Sequence, residues 1–156
     1  MTEPRTPADS RVEMRELVLP SDANVLGNLL GGRVMHLIDL AGFFAANKHC
    51  RQRCMTASID HLDFLHPIRV GEAVLLEAQV VAAGRTSMDV RVRVRSENLL
   101  SGEHRETTTA WMTFVAVDAA GKPVPVPPLV ASSDEDRAAR DAALARRRER
   151  QARAAA

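Results

Sequence analysis

Tyrosine is absent from this 156-residue sequence, tryptophan occurs once, and aromatic residues make up 3% of the chain. So few planar side chains do not build the stacking platform that holds single-stranded nucleic acid. An excess of charge is missing too. With 21 Lys and Arg against 20 Asp and Glu, the formal net charge is +1, which gives no bulk attraction to a polyanion. No apolar run approaches the length needed to cross a bilayer. The opening MTEPRTPADS lacks the apolar segment of a secretory signal, so the expectation is a soluble, cytoplasmic protein with neither nucleic-acid nor membrane partners. Cysteine is scarce: Cys50 and Cys54 form a single C-x-x-x-C pair, too little for a disulfide framework or a zinc site. His49 adds a third possible ligand, but free thiols in a reducing compartment are the expectation. No Gly-x-Ser-x-Gly, Ser-His-Asp order, second catalytic carboxylate or P-loop is present, and Gly27 and Gly31-Gly32 have the wrong spacing for a dinucleotide fingerprint.

What is present fits one globular domain of ordinary size. Residues 1–10 have no pattern and read as a flexible lead-in; residues 11–130 read as the domain. Arg11 to Leu19 alternates as a strand with one wet face, which Pro20 stops. A helix is predicted from Leu30 to Lys48, with Lys48 and His49 suited to the negative end of its dipole. Met55 to Ile68 alternates and predicts a strand ending at His66-Pro67. Ala73 to Ala83 is a mostly apolar strand. Met88, Val90, Val92 and Val94 alternate with Asp89, Arg91, Arg93 and Arg95, the clearest two-residue period in the chain. His104 to Val117 is rich in β-branched residues and closes the set. The four prolines within Lys122–Leu129 keep that segment extended. The Ala- and Arg-rich tail from 131 to 156 carries an N-cap signal, SSDEDR, yet looks too polar to pack, so a solvated helix or disorder is expected. One long helix beside a run of strands is an α+β pattern. An antiparallel sheet curled around the helix is the natural way to bury it.

The chain is organised around Pro20–Ala46, PSDANVLGNLLGGRVMHLIDLAGFFAA. A turn-rich loop, long enough to be functional, feeds a helix apolar on almost every side. Such a helix is expected to be buried. Asp39 lies within it, so it must be paired, protonated or used. Two readings stand: a structural ion pair, or a carboxylate made more basic by apolar neighbours and suited to act as base or nucleophile. Asn28 is either a turn former or a side-chain amide that holds water or a carbonyl oxygen. Gly31-Gly32 at the helix start either permits close packing or bares backbone N–H groups to a developing oxyanion.

The motif D-A-N-x-x-G-N-x-x-G-G, with Asp39 eight residues after Gly31, resembles the acyl-CoA thioesterases of the hotdog fold. Within that family it more closely resembles the bacterial short-to-medium-chain enzymes and the brain-type acyl-CoA hydrolases. The resemblance extends through T-A-S-I-D-x-L-x-F-x-x-P-I-x-V-G-E (Thr56–Glu72), G-R-T-S-M (Gly84–Met88) and W-M-T-F-V-A-V-D from Trp111, covering most of residues 12–118. It implies a hotdog fold and hydrolysis of acyl-CoA to fatty acid and CoA. Asp39 then matches the helix aspartate, Asn28 the loop residue supplied by a partner subunit, and Gly32 the helix start that polarises the carbonyl. Asn24, Gly31, Thr56, Ser58, Gly84, Arg85, Thr86 and Ser87 fall where substrate or CoA is contacted. Arg85 is placed to pair a phosphate, or is a surface residue in a turn. The resemblance further implies at least a homodimer, commonly a trimer of dimers, and no metal or redox cofactor, CoA arriving with the substrate. A non-catalytic acyl-CoA sensor on the same fold is the alternative.

Overall fold

The computed structural model describes residues 3–156, so the first two residues of the expected flexible lead-in lie outside it. The elements are β1 (Val12–Leu17), α1 (Gly31–Cys50), β2 (Arg53–Ile59), β3 (Ala73–Ala83), β4 (Ser87–Glu97), β5 (His104–Val117) and α2 (Asp134–Ala155). The strands form one antiparallel sheet in the order β1-β3-β4-β5-β2. It curls around α1, which is the hotdog fold.

The alternation in β4 decides which face curls inward. Met88, Val90, Val92 and Val94 are fully buried against the helix, together with Val80, Ala110, Met112 and Phe114 of the neighbouring strands. Extra residues in β2, β3 and β5 shift the register between Thr56 and Ser58, between Val80 and Ala82, and between Thr108 and Glu106 opposite Val94 and Arg95. Such bulges sharpen local twist and help a sheet wrap. The helix answers with Val34, Leu37, Ile38, Ala41, Ala45 and Ala46. Gly42 faces β5 so closely that a Cβ there would lie 2.8 Å from Met112 Sδ and 3.0 Å from the Phe114 ring.

Four expectations need correction. The lead-in is ordered from residue 3: Thr6 and Asp9 form a capping box on the 3-10 turn Pro7–Ser10, and the buried Ser10 hydroxyl accepts the Val80 amide at 2.8 Å. The strand predicted to run to Ile68 stops at Ile59. Beyond it the chain keeps only scattered hydrogen bonds to β5, Asp60 N to Trp111 O and Leu65 N to Thr107 O, before turning at Pro67. The tail is a 22-residue helix, one of the two forms expected, capped by the Ser133 hydroxyl on Asp136 N, but it is not left unpacked. It packs on the outer face of the sheet, where Ala139 and Ala143 meet Val81, Ala82 and Trp111. Two alanines one turn apart give an otherwise polar helix enough of a contact face.

His49 corrects the fourth. It is no cation at a helix end: it is fully buried, and its Nε2–H donates to the Pro127 carbonyl at 2.8 Å. Burial pushes its pKa below the ordinary value; the Pro127 bond opposes the shift and does not overcome it. The unfolded imidazole takes a proton near pH 6.5, the folded one only at lower pH. Stability is therefore intact above about pH 6.5 and falls as pH drops below it, until the folded imidazole itself is protonated. Urea midpoints between pH 8 and pH 5 should show this decline in the wild type and a smaller one in His49→Gln.

Candidate active site

The carboxylate of Asp39 lies on the outer side of α1, not within its buried face. Met35 and Phe43, one turn before and after it, are 43% and 37% exposed, and Phe44 is 43% exposed. Asp39 is itself only half-buried, so the expected fully buried carboxylate is a half-open one set in an apolar stripe. Its Oδ1 accepts a 2.6 Å hydrogen bond from Thr56 Oγ1 on β2. β2 is an edge strand, and its Thr56/Ser58 bulge lies at this point of the ladder. Thr56 therefore orients the carboxylate and leaves its second oxygen unengaged. No basic side chain lies within salt-bridge distance of Asp39 among the described residues, which removes the structural ion pair as its explanation. The Ser58 hydroxyl is buried without a partner.

The start of α1 forms a second feature. Leu30 stands at the N-cap position and offers no side chain to the first amides, which have no acceptor inside the helix. A Cβ on Gly32 would meet nothing within 4 Å, and one on Gly31 only the Phe64 ring at 3.6 Å. Close packing within the chain does not require glycine at either position, and the space beside both is open. Beside them is a groove of about 240 Å³ lined by Asn28, Gly31, Val34, Phe64, His66 and Thr107, among others. Asn24 also borders it, but its Oδ1 is spent on the amides of Leu26 and Asn28, so its demonstrable work is to shape the loop that holds Asn28.

Gly84–Ser87 forms the β3–β4 turn, closed by Gly84 N to Ser87 O at 2.8 Å. The carbonyls of Arg85 and Thr86 receive Val126 and Ala116, which leaves the Arg85 side chain exposed at the surface. Ser87 aligns with Val115, and Val115 with Met55. Two strand spacings, about 10 Å, therefore separate this turn from the Asp39–Thr56 pair. Asn28 is brought to neither. Eight helical residues separate Gly31, in its groove, from Asp39, a rise of about 12 Å. One chain thus holds two partial sites: a carboxylate and hydroxyl near the turn, and an amide with bare helix N–H groups at the groove. Pairing of Thr56 with Asp39 was not foreseen from the sequence, where Thr56 figured only as a substrate contact. No group of three or more potential metal ligands occurs among the described residues, and no helix among them is long and apolar enough to cross a membrane.

The thioesterase superfamily model matches residues 26–102. The Bacillus subtilis protein described as the uncharacterized acyl-CoA thioester hydrolase YkhA is 41% identical over 91% of this chain and 83% of its own. The chain spans about a third of the length of the mammalian cytosolic acyl coenzyme A thioester hydrolases it matches, with 34% identity to the mouse protein over 36% of that sequence. Among solved structures, an apo hexameric acyl-CoA thioesterase superposes with a TM-score of 0.94 at 44% identity, covering 99% of both chains. The Staphylococcus aureus acyl-CoA hydrolase in complex with butyryl coenzyme A, coenzyme A and coenzyme A disulfide gives 0.89 at 34% identity, covering 96% of this chain and 91% of that one. Alanine variants of that enzyme at one aspartate, one threonine and one asparagine match as well. By sequence and by fold, this chain belongs to the acyl-CoA thioester hydrolases of the thioesterase superfamily.

Proposed function

We propose that the protein hydrolyses acyl-CoA thioesters to a fatty acid and CoA, with Asp39 as the carboxylate that drives the reaction. The observation that carries this reading is the Asp39–Thr56 pair: a half-open carboxylate, held by one hydroxyl, with a free oxygen and no cation to neutralise it. In the assembly, the thioester carbonyl oxygen rests on the amides of Gly31 and Gly32 of one copy, facing Asp39 of the other, and the positive end of α1 favours the charge that develops in the tetrahedral intermediate. Asp39 takes a proton from the attacking water, or attacks the carbonyl carbon itself to give a mixed anhydride that water then opens. Either way the carbon–sulfur bond breaks and the CoA thiolate leaves to take up a proton. Asn28 positions water or substrate, and the CoA portion runs along Gly84–Ser87, with Arg85 at its phosphates. No metal or redox cofactor enters these steps.

A second copy of the chain completes the site. Asn28 is remote from Asp39 within one chain, and the uncovered Met35, Phe43 and Met55 around Asp39 form an apolar surface that a partner would bury. The hexameric relative and its match over the full chain support an assembly of dimers. The S. aureus variants at an aspartate, a threonine and an asparagine support the choice of Asp39, Thr56 and Asn28, the residues of those types that stand out here.

Thiol release from a panel of acyl-CoAs tests the reading. Release with a clear chain-length preference is expected. Tight acyl-CoA binding with no thiol release would make the protein a sensor; absence of both would leave only the fold.

A further inference from the structure

The outer face of the sheet carries an unbroken run of hydrogen bonds. Asp60, the first residue after β2, accepts from Arg150 Nη1 at 2.9 Å. Arg150 Nη2 donates to Thr113 Oγ1 at 3.1 Å, and Thr113 donates to Asp89 Oδ1 at 2.8 Å. The other Asp89 oxygen holds Arg147 Nη2 at 2.5 Å, which also reaches Ser87 Oγ at 3.2 Å. The run begins where β2 hands over to the segment that walls the groove with Phe64 and His66, and it ends in the Gly84–Ser87 turn. Both arginines come from α2, whose apolar footing on the sheet is Ala139, Ala143 and Leu144. The carboxylates are well covered, with Asp60 side-chain exposure at 11% and Asp89 at 7%. Covered carboxylates stay folded inward only while paired.

We infer that α2 is a positioning element of the hydrolytic site, with Arg150 and Arg147 as positioning residues that pin the two segments bordering it. The inference rests on the acyl-CoA hydrolase reading. Arg150 acts through Asp60. Asp60 lies four residues from Thr56, just past the end of the same edge strand, and no strand flanks β2 on its other side among the described residues. Without Arg150, the Asp60 carboxylate turns toward water and draws the end of β2 with it. Thr56 then loses its fixed bond to Asp39. Arg147 acts through Ser87 and Asp89 on the turn assigned to CoA. Gly84 belongs to the same fit: a Cβ there would press on Ser87 Oγ at 3.2 Å and Arg147 Nη1 at 3.4 Å.

The two arginines should separate kinetically. Arg150→Ala should lower kcat on a cleaved acyl-CoA about ten- to a hundredfold, the range for small misplacements made at a distance from the chemistry, with KM changed less than threefold by this argument. Arg147→Gln should instead raise KM. Asp60→Asn should reproduce the Arg150→Ala defect, and the Asp60→Asn/Arg150→Ala double variant should be no worse than either single one, since both break the same link. Arg150→Lys should recover part of kcat. Hydrogen exchange of residues 56–66 in full-length Arg150→Ala gives a readout independent of turnover, and faster exchange there than in wild type is expected. If Arg150→Ala does not fold, the isosteric Asp60→Asn carries the same two measurements. Unchanged kcat together with unchanged exchange at 56–66 would overturn the inference, as would additive losses in the double variant. A wild type that cleaves no acyl-CoA sinks the hydrolase reading instead, and the exchange comparison alone then decides whether α2 pins this segment.

Discussion

Asp39→Asn should reduce kcat for acyl-CoA hydrolysis by about a hundredfold or more, the loss expected when a general base is removed, with little change in KM or stability. Asparagine keeps the shape of aspartate, and its Oδ1 still accepts the Thr56 hydroxyl that holds Asp39 at 2.6 Å. The substitution removes the negative charge and the ability to take a proton or attack a carbonyl. Because the side chain is half-open and pairs with no cation, stability should stay within about 0.5 kcal/mol of wild type. That separates a chemical defect from a folding defect. Steady-state thiol release and urea unfolding on the same preparation give both numbers. A variant within threefold of wild-type kcat would refute the role given to Asp39, whichever relatives the chain has. Thr56→Val is the companion. It leaves the carboxylate and removes only its anchor, so the loss should be smaller than for Asp39→Asn.

How far the sequence disclosed this arrangement depends on which physical signal each residue carries. β4 was legible because Met88–Arg95 alternates between strongly apolar and strongly charged residues, and only a strand puts such residues on opposite faces. α1 was legible as a helix buried in the sheet, but not as one whose outer side stays open within the chain. Met35, Phe43 and Phe44 are apolar and uncovered in the chain, because an apolar side chain records that water is disfavoured at that position and not which surface covers it. Asp39 was misjudged for the same reason. The segment after Ile59 kept an alternating pattern, yet only two of its amides reach β5, through Asp60 and Leu65. Pattern reports which side a residue faces and not whether its backbone is paired. The packing of α2 was hidden by its composition: its contacts include two alanines, Leu144 and two arginines whose partners, Asp60 and Asp89, are distant in sequence. Long-range ion pairs leave no periodic trace. Asp39, Asn28 and the glycine pair stood out by residue type and place and took their roles from the family resemblance, while the Thr56–Asp39 bond came only with β2 lying beside α1.

Phe114→Ala should cost about 3–5 kcal/mol of folding stability, the usual range for emptying a buried phenylalanine site. Against a typical total of roughly 5–15 kcal/mol, that is the largest single loss expected in this chain. Phe114 is the largest of the fully buried side chains, and its ring lies between β5 and the middle of α1. Gly42 is what lets the ring sit there. In the wild type, Gly42→Ala places a methyl 2.8 Å from Met112 Sδ and 3.0 Å from the ring. Overpacking of this kind costs about 1–3 kcal/mol. The better helix propensity of alanine returns only about 1 kcal/mol. Gly42→Ala alone should therefore be neutral to destabilising by about 2 kcal/mol on those two figures. In the Phe114→Ala background the sign should reverse. The ring is gone, the flexible Met112 thioether has room to move aside, and the new methyl fills part of the cavity while the propensity gain remains. Urea midpoints for the two single variants and the double variant test this directly. If Gly42→Ala destabilises both backgrounds equally, the contact between α1 and the Phe114 ring is not what demands glycine at position 42.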